Sequence, residues 1–156
     1  MRSGTPAPAL VQNLIYGNTS GVEAWATWTV SDRWRLSGGV TTLREDLALR
    51  PTSTDPIGPK NLGDDPANQW MLRSALNLPN RQELDVMFRR VAALPYPTVP
   101  AYSAIDLRYG CRLGTDLQVS LVLRNLGGPL HVEFKNSLGY SEIDRTALLE
   151  LRWSPP

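Results

Sequence analysis

The feature of this sequence that most limits its possible folds is a repeated alternation of apolar and polar residues. In the segment Leu117–Arg124, leucine or valine occupies every second position from Leu117 onward. Because successive side chains of a β-strand point to opposite faces, such a segment predicts a strand with one apolar and one polar face. Similar segments recur between Gly21 and Trp153. Long two-faced strands in series predict a sheet that separates two solvents, and lipid is one candidate.

Composition argues against several classes of function. The 156 residues are enough for one domain, and the formal net charge of +1 does not indicate binding to nucleic acid. Cys111 and His131 are the only cysteine and the only histidine, so neither a disulfide framework nor a zinc site of the usual kind is predicted. No apolar run reaches the roughly 18 residues of a transmembrane helix. Residues 1–8 lack the apolar region of a secretory signal, and we expect no cofactor.

The prolines mark the boundaries of the strands. None of the thirteen falls inside a well-alternating segment, as expected because proline cannot donate to a sheet ladder. The pattern predicts about eight strands of about ten residues, longer than the usual five or six and near the length that crosses a bilayer when tilted. The predicted strands are 8–17, 21–30, 34–44, 69–79, 83–93, 101–112, 117–126 and 144–153.

The connections alternate in length. Short turns follow residues 30, 79 and 112, long links cover 45–68, 94–100 and 127–143, and only the short link at 18–20 departs from the pattern. Short turns on one rim and long loops on the other are typical of an outer-membrane barrel.

Aromatic residues at strand ends fit two interfacial girdles. The alternative is a soluble β-barrel with tryptophans capping its core, because globular strands also alternate. The aromatic residues are Trp28, Trp34 and Trp153 beside the short turns, and Trp70 and Tyr102 beside the long loops.

Charged residues share the polar face of the predicted strands. If the sheet is a barrel wall, we expect them to face the lumen and to form cross-strand ion pairs. On an ordinary solvated face, each such pair contributes only roughly 0–1 kcal/mol. These residues are Glu23, Arg35, Arg73, Asp85, Arg89, Asp106, Arg108, Arg112, Arg124, Glu150 and Arg152.

The loops offer few candidate ligand groups. Asp55, Asp64 and Asp65 suggest a cation site, but their spacing favours an ordinary polar loop. His131 beside Glu133 suggests a ligand contact, but a single histidine in a loop is usually solvated. No nucleophile elbow or related motif is present, so the sequence does not predict an enzyme.

Two glycines and the cysteine lie inside predicted strands. Gly38 and Gly39 predict a bend or close packing, because glycine weakens a strand unless its missing side chain is needed. Cys111 falls on the apolar face, where it is most simply a small hydrophobic residue.

A series of short stretches occurs in an order that resembles a known family. They are Gly21–Glu23, Trp34–Gly39, Asp65–Gln69, Leu72–Ser74, Glu83–Val86, Val99–Tyr102, Ile105–Arg108, Leu123–Leu126 and Arg145–Trp153. The series resembles the C-terminal part of the β-barrel of TonB-dependent outer-membrane receptors, over residues 10–153.

This resemblance implies a large barrel of about 22 strands, plugged by a separate N-terminal domain. It implies substrates such as ferric siderophores or cobalamin at the loops and plug, and energy delivered by TonB. It also implies that Leu149, Leu151 and Trp153 belong to the last strand, which the outer-membrane assembly machinery reads. Members of the family normally end at the aromatic residue, whereas Ser154–Pro156 follow it here. The implied location is the outer membrane of a Gram-negative bacterium, in contact with its lipid.

We therefore expect residues 1–156 to be a C-terminal portion of such a barrel without the plug, from a truncated or split reading frame. Its expected function is that of a receptor fragment in active nutrient uptake, with the rest of the barrel and the plug as partners. Substrate specificity is expected in the three long loops and in the plug. Two alternatives stay open: a self-contained small outer-membrane barrel with a structural or adhesive role, and a soluble β-sandwich that acts as a binding module.

Overall fold

The protein consists of antiparallel β-sheets, as the alternation predicts. The computed structural model describes residues 12–55, 58, 65–128, 130–136 and 139–154. The strands are β1 (Ile15–Ser31), β2 (Trp34–Leu49), β3 (Asn68–Leu78), β4 (Gln82–Val91), β5 (Tyr102–Leu113), β6 (Leu117–Arg124), β7 (His131–Asn136), β8 (Gly139–Ile143) and β9 (Thr146–Trp153). Seven strands form one sheet in the order β1-β2-β3-β4-β5-β6-β9, and β7 and β8 form a separate hairpin.

The seven-stranded sheet is open. β1 and β9 stand at the two ends of the strand order and do not pair with each other or with any other described strand at their outer edges. In the described part of the chain, no helix has the length and hydropathy needed to span a membrane. The all-β, antiparallel prediction is confirmed, and both edges of the sheet are unpaired among the residues that the structure describes.

The N-terminal strands differ from the prediction. Instead of strands at 8–17 and 21–30 joined at 18–20, one strand of 17 residues runs from Ile15 to Ser31, and residues 8–11 lie outside the described part of the chain. Residues 18–20 pair with 46–44 in the ladder, so 45–49 belong to β2 and not to a loop. This part of the hairpin extends about 20 Å beyond the pairing of β2 with β3. Polar residues sustain a ladder there because the backbone supplies the hydrogen bonds.

This difference removes the exception in the pattern of connections. The short turns join β1 to β2, β3 to β4 and β5 to β6, and the links from β2 to β3, from β4 to β5 and from β6 to β9 are long. The link from β6 to β9 contains β7 and β8, where the prediction was a loop at 127–143. The alternation of Val132 and Phe134 with Glu133 and Lys135 was a signal for β7.

The strand register separates two faces. Directly paired residues share a face, and Leu76, Leu84, Tyr109, Leu121 and Leu149 form one continuous row across five strands. We call this side the apolar face and the opposite side the charged face. Cys111 and four of the five tryptophans lie on the apolar face, as predicted, whereas Tyr102, predicted as an interfacial residue, pairs with Val91 on the charged face.

No second layer of described residues covers the apolar face. Leu72 is 50% exposed, Leu149 63% and Trp153 71%, whereas the buried apolar residues in the described part of the chain are Val99 and Ala104. With strands about 4.8 Å apart and ~3.3 Å per residue over about nine residues, the face measures roughly 30 by 30 Å. This area of about 900 Å² exceeds the roughly 300–600 Å² of the largest apolar patch on a typical monomer.

The short turns are staggered along the sheet. The last pairs before the turns are Ser31–Trp34, Leu78–Gln82 and Leu113–Leu117. Trp34 pairs with Leu76 and Gln82 pairs with Cys111, so each hairpin ends two residues beyond the preceding one, or one residue per strand. With ~3.3 Å per residue and about 4.8 Å between strands, this stagger tilts the strands by about 35° relative to the line of turns. Closed barrels have strand tilts of roughly 35–45°.

Candidate functional site

The charged residues selected from the sequence all lie on one face. The register places Glu23, Arg35, Arg73, Asp85, Arg89, Asp106, Arg108, Arg112, Arg124, Glu150 and Arg152 on the charged face. They share a face because side chains alternate along a continuous strand, so the side of one residue fixes the side of every other. Which of them meet across strands depends on register.

One contact among them passes over a glycine. Gly110 pairs with Glu83 on one side and with Ser120 on the other. The Arg108 guanidinium lies over Gly110 and reaches both neighbours, with Nη1 donating to Glu83 Oε2 at 2.9 Å and Nη2 to Ser120 Oγ at 3.0 Å. A Cβ at position 110 would lie 3.1 Å from Nη2, so glycine leaves room for the arginine to bridge three strands.

The other ion pairs of the charged face are partly exposed. Arg73 Nε donates to Asp85 Oδ1 at 2.9 Å, and the two side chains are 52% and 20% exposed. At such exposure a pair contributes roughly 0–1 kcal/mol, so these contacts do not hold the sheet together. The Asp106 carboxylate accepts a backbone hydrogen bond from Asn125 at 2.9 Å. The selected residues that form no ion pair with any described residue are Glu23, Arg35, Asp106, Arg112, Arg124, Glu150 and Arg152.

The β7–β8 hairpin is attached to the charged face near the long loops. Arg89 Nη2 lies 3.0 Å from Glu133 Oε1, and the same carboxylate oxygen lies 3.0 Å from His131 Nε2. The His131 ring stacks on Tyr102 with centroids 4.3 Å apart and planes at 20°. The His131 side chain is only 8% exposed, so the expectation of a solvated histidine is wrong. It is buried because the link between β6 and β9 folds back over β4 and β5 instead of projecting from the rim.

Asn125 fixes the point at which this link leaves β6. It is 1% exposed and has a left-handed backbone with φ of 56°, a conformation for which asparagine is favoured over most residues. Its side-chain Nδ2 donates to the Ile143 carbonyl at 3.1 Å, which ties the start of the link to its end. Asn125 lies inside the strand predicted at 117–126 and was not among the candidate site residues, whereas β6 ends one residue before it.

A cleft lies on the charged face beside this attachment. Its cavity volume is about 380 Å³, and its floor consists of two neighbouring rows of paired residues. The rows are Trp25, Gly39, Met71 and Arg89, and Glu23, Thr41, Gln69, Val91 and Tyr102. Trp25 is 57% exposed and lies over Gly39, where a Cβ would be 2.3 Å from its Cε3 atom. The prediction of close packing is confirmed at Gly39, whereas a Cβ at Gly38 would meet its nearest atom at 3.6 Å.

The acidic loop carries no metal site in the part that the structure describes. Asp64 lies outside the described residues, and no group of three or more His, Cys, Asp or Glu side chains among the described ones is placed to hold a metal ion. We therefore take the cleft beside the β7–β8 hairpin as the candidate ligand site of this face.

Comparison with known proteins adds no relative. Neither a scan against models of protein families nor searches among curated proteins and solved structures finds a match to this chain.

Proposed function

We propose that this chain is a stretch of wall in an outer-membrane β-barrel, and that the barrel is a TonB-dependent receptor for uptake of a scarce nutrient such as a ferric siderophore or cobalamin. The observation that carries the proposal is the uncovered apolar face. At about 25 cal/mol per Å², removing roughly 900 Å² of apolar surface from water contributes on the order of 20 kcal/mol. This exceeds the roughly 5–15 kcal/mol net stability of a typical domain, so the face needs a cover.

The distribution of residues over the apolar face favours lipid as that cover. Along β3, its positions run from Trp70 to Leu78, which is about 26 Å of strand and ~22 Å of height at a tilt of about 35°. Outer-membrane barrels have an apolar band about 25 Å tall with aromatic residues at both borders. Polar groups on this face pair locally, since Trp34 Nε1 donates to Ser74 Oγ at 3.0 Å. The rim beside Trp70 carries Arg90, where a cation can reach the headgroups.

The two free edges favour a larger barrel over the alternatives. A small self-contained barrel needs β1 to pair with β9, and these strands are unpaired with each other in the described part of the chain. A β-sandwich needs a second sheet on the apolar face, where the described residues supply none. Unpaired edges are aggregation sites unless further strands cover them. Further strands of the same barrel, with Leu149, Leu151 and Trp153 in the strand read during assembly, meet this need.

Within the proposal, the charged face lines the lumen. The rest of the barrel, the plug, TonB acting through the plug and the outer-membrane assembly machinery are the partners. The exposed arginines and carboxylates then contact the watery interior or the plug, where partly solvated ion pairs cost little to form and break.

Vesicle flotation with fluorescence quenching tests the membrane assignment. Purified chain is mixed with phosphatidylcholine vesicles and floated, and its tryptophan emission is measured with lipids brominated at different depths. Four of the five tryptophans lie on the apolar face near its borders, so we expect stronger quenching by bromines near the headgroups than by bromines at the chain ends. Acrylamide, a quencher in water, should act mainly on Trp25 and lose most of its effect in Trp25→Phe.

A folded, monomeric chain that stays in detergent-free buffer and does not float would refute the membrane assignment. The receptor assignment has a separate test in the DNA upstream of the Met1 codon. A reading frame for a plug and for preceding strands would support it, and an unrelated upstream gene would contradict it.

A further inference from the structure

We infer that the cleft on the charged face binds a neutral saccharide ring, with the Trp25 indole as its stacking surface. The inference rests on the geometry of the cleft and holds whether the apolar face meets lipid or another cover. If the proposed function is also correct, the site names a substrate class for the receptor.

The indole of Trp25 forms a flat surface on the sheet. Trp25 pairs directly with Gly39 across β1 and β2. The space that a Cβ of Gly39 would fill lies 2.3 Å from Cε3 and 2.7 Å from Cζ3 of the indole, so the ring covers the glycine backbone. With 57% of the residue exposed, the outer surface of the ring is open to the cleft. The absence of a side chain at Gly39 is what allows this orientation.

The position of Trp25 distinguishes it from the other tryptophans. All four of the others lie on the apolar face, where an amphipathic ring anchors a membrane border. Trp25 lies on the opposite face among charged and polar side chains, so neither a border nor a core explains an exposed indole there. The electron-rich face of an aromatic ring attracts the weakly positive C–H bonds on one side of a pyranose ring.

The row beside Trp25 supplies the polar groups that a sugar needs. Glu23 accepts hydrogen bonds, Gln69 can both donate and accept, and the Tyr102 hydroxyl, which hydrogen-bonds Glu133, can still accept. Sugar hydroxyls also donate and accept, so a mixed set of partners suits them better than a set of one kind. The cavity of about 380 Å³ lies at the lower end of the roughly 300–1,000 Å³ of small-molecule sites and suits about one or two sugar rings.

The charges around the cleft favour a neutral ligand over an anion. The Arg89 guanidinium is already neutralised by Glu133 at 3.0 Å. Arg90 belongs to the apolar face, where its Nη1 donates to Ser103 Oγ at 2.8 Å. Glu23 has no ion-pair partner among the described residues, so its carboxylate places a negative charge beside Trp25 in the cleft, which Arg90 also lines. An anionic aromatic ring would meet repulsion from Glu23, whereas a neutral polyol would not.

Calorimetric titration with cellotriose and maltotriose tests the inference. The full chain is used in the medium in which it is folded, with Trp25→Ala, Gly39→Ala and the matched control Gly38→Ala. We expect at least one trisaccharide to bind, and both Trp25→Ala and Gly39→Ala to weaken it about tenfold or more, which corresponds to ~1.4 kcal/mol. Gly39→Ala keeps the indole but displaces it, whereas Gly38→Ala adds a methyl group with ordinary room on the other face and should bind as wild type. Circular dichroism checks that each variant keeps its strands.

Three results would overturn the inference: no binding of either sugar by folded chain, unchanged binding in folded Trp25→Ala or Gly39→Ala, or tighter binding of anionic 2,3-dihydroxybenzoate than of both sugars. The outcome is independent of vesicle flotation. Flotation without sugar binding contradicts only the cleft assignment, and sugar binding without flotation contradicts only the membrane assignment.

Discussion

Two neighbouring leucines in β9 allow a matched test of the solvent on each face. Leu149 pairs with Leu121 on the apolar face, and Leu148 pairs with Val122 on the charged face. Both side chains are open, at 63% and 52% exposure, so replacing either one removes little packing. Leu149→Arg and Leu148→Arg therefore differ mainly in the medium that the new cation enters.

The expected difference can be calculated from the position of Leu149. It lies four residues before Trp153, the border residue of β9, which is about 13 Å of strand and ~11 Å of depth at a tilt of about 35°. In an apolar band about 25 Å tall, this depth is close to the midplane, where an arginine costs roughly 2–4 kcal/mol. Leu148→Arg adds a cation to a polar face and should stay within about 0.5 kcal/mol of wild type.

The assay is equilibrium partition into phosphatidylcholine vesicles, measured as bound and free protein after flotation. A cost of roughly 2–4 kcal/mol lowers the partition coefficient of Leu149→Arg about 30- to 900-fold, with Leu148→Arg close to wild type. Equal partition of Leu149→Arg and wild type would refute a lipid-facing surface at this position. An equal loss in both variants would show that the effect comes from β9 itself and not from its faces.

Two further substitutions test contacts on the charged face. Gly110→Ala should displace the Arg108 guanidinium from both of its partners and lower the free energy of unfolding by about 0.5–1 kcal/mol in urea titrations. In an Arg108→Ala background the same substitution should lower the free energy of unfolding no further. A second, equal decrease in that background would contradict the bridge. Glu133→Gln should loosen the β7–β8 hairpin and speed tryptic cleavage at Lys135, because it removes the charge that holds the hairpin to the sheet. Glu142→Gln, in β8, removes a carboxylate that forms no ion pair with any described residue and should be cleaved as wild type. Equal rates in the two variants would contradict this role.

Alternation predicted the strands and their faces wherever one face is apolar and the other polar. Leu117–Arg124 and the segment ending at Trp153 are read correctly because a period of two fixes the side of each residue. Residues 18–20 were missed because the pattern lapses there, while the ladder continues through pairing with residues 44–46. Residues that are held in a strand by partners distant in sequence need show no alternating pattern of their own.

The contacts of the candidate site depended on information that a single strand does not carry. Trp25 meets Gly39, and Arg108 reaches Glu83 and Ser120 on the neighbouring strands, only in one register. A shift of one residue would move each side chain to the other face. The burial of His131 depended on the direction in which a long link folds, which its composition does not specify.

The β7–β8 hairpin also bears on the size of the barrel. The interior of an eight-stranded barrel is just wide enough to be filled by its own side chains. Here Glu133 and His131 of the hairpin contact Arg89 and Tyr102 near the long-loop end of the charged face, so another segment of the chain lies against this face. Such a segment takes up space that the side chains of so narrow a barrel would already fill. The proposed wall therefore fits a wide barrel, in which Trp25 and its cleft remain open to a ligand beside the hairpin.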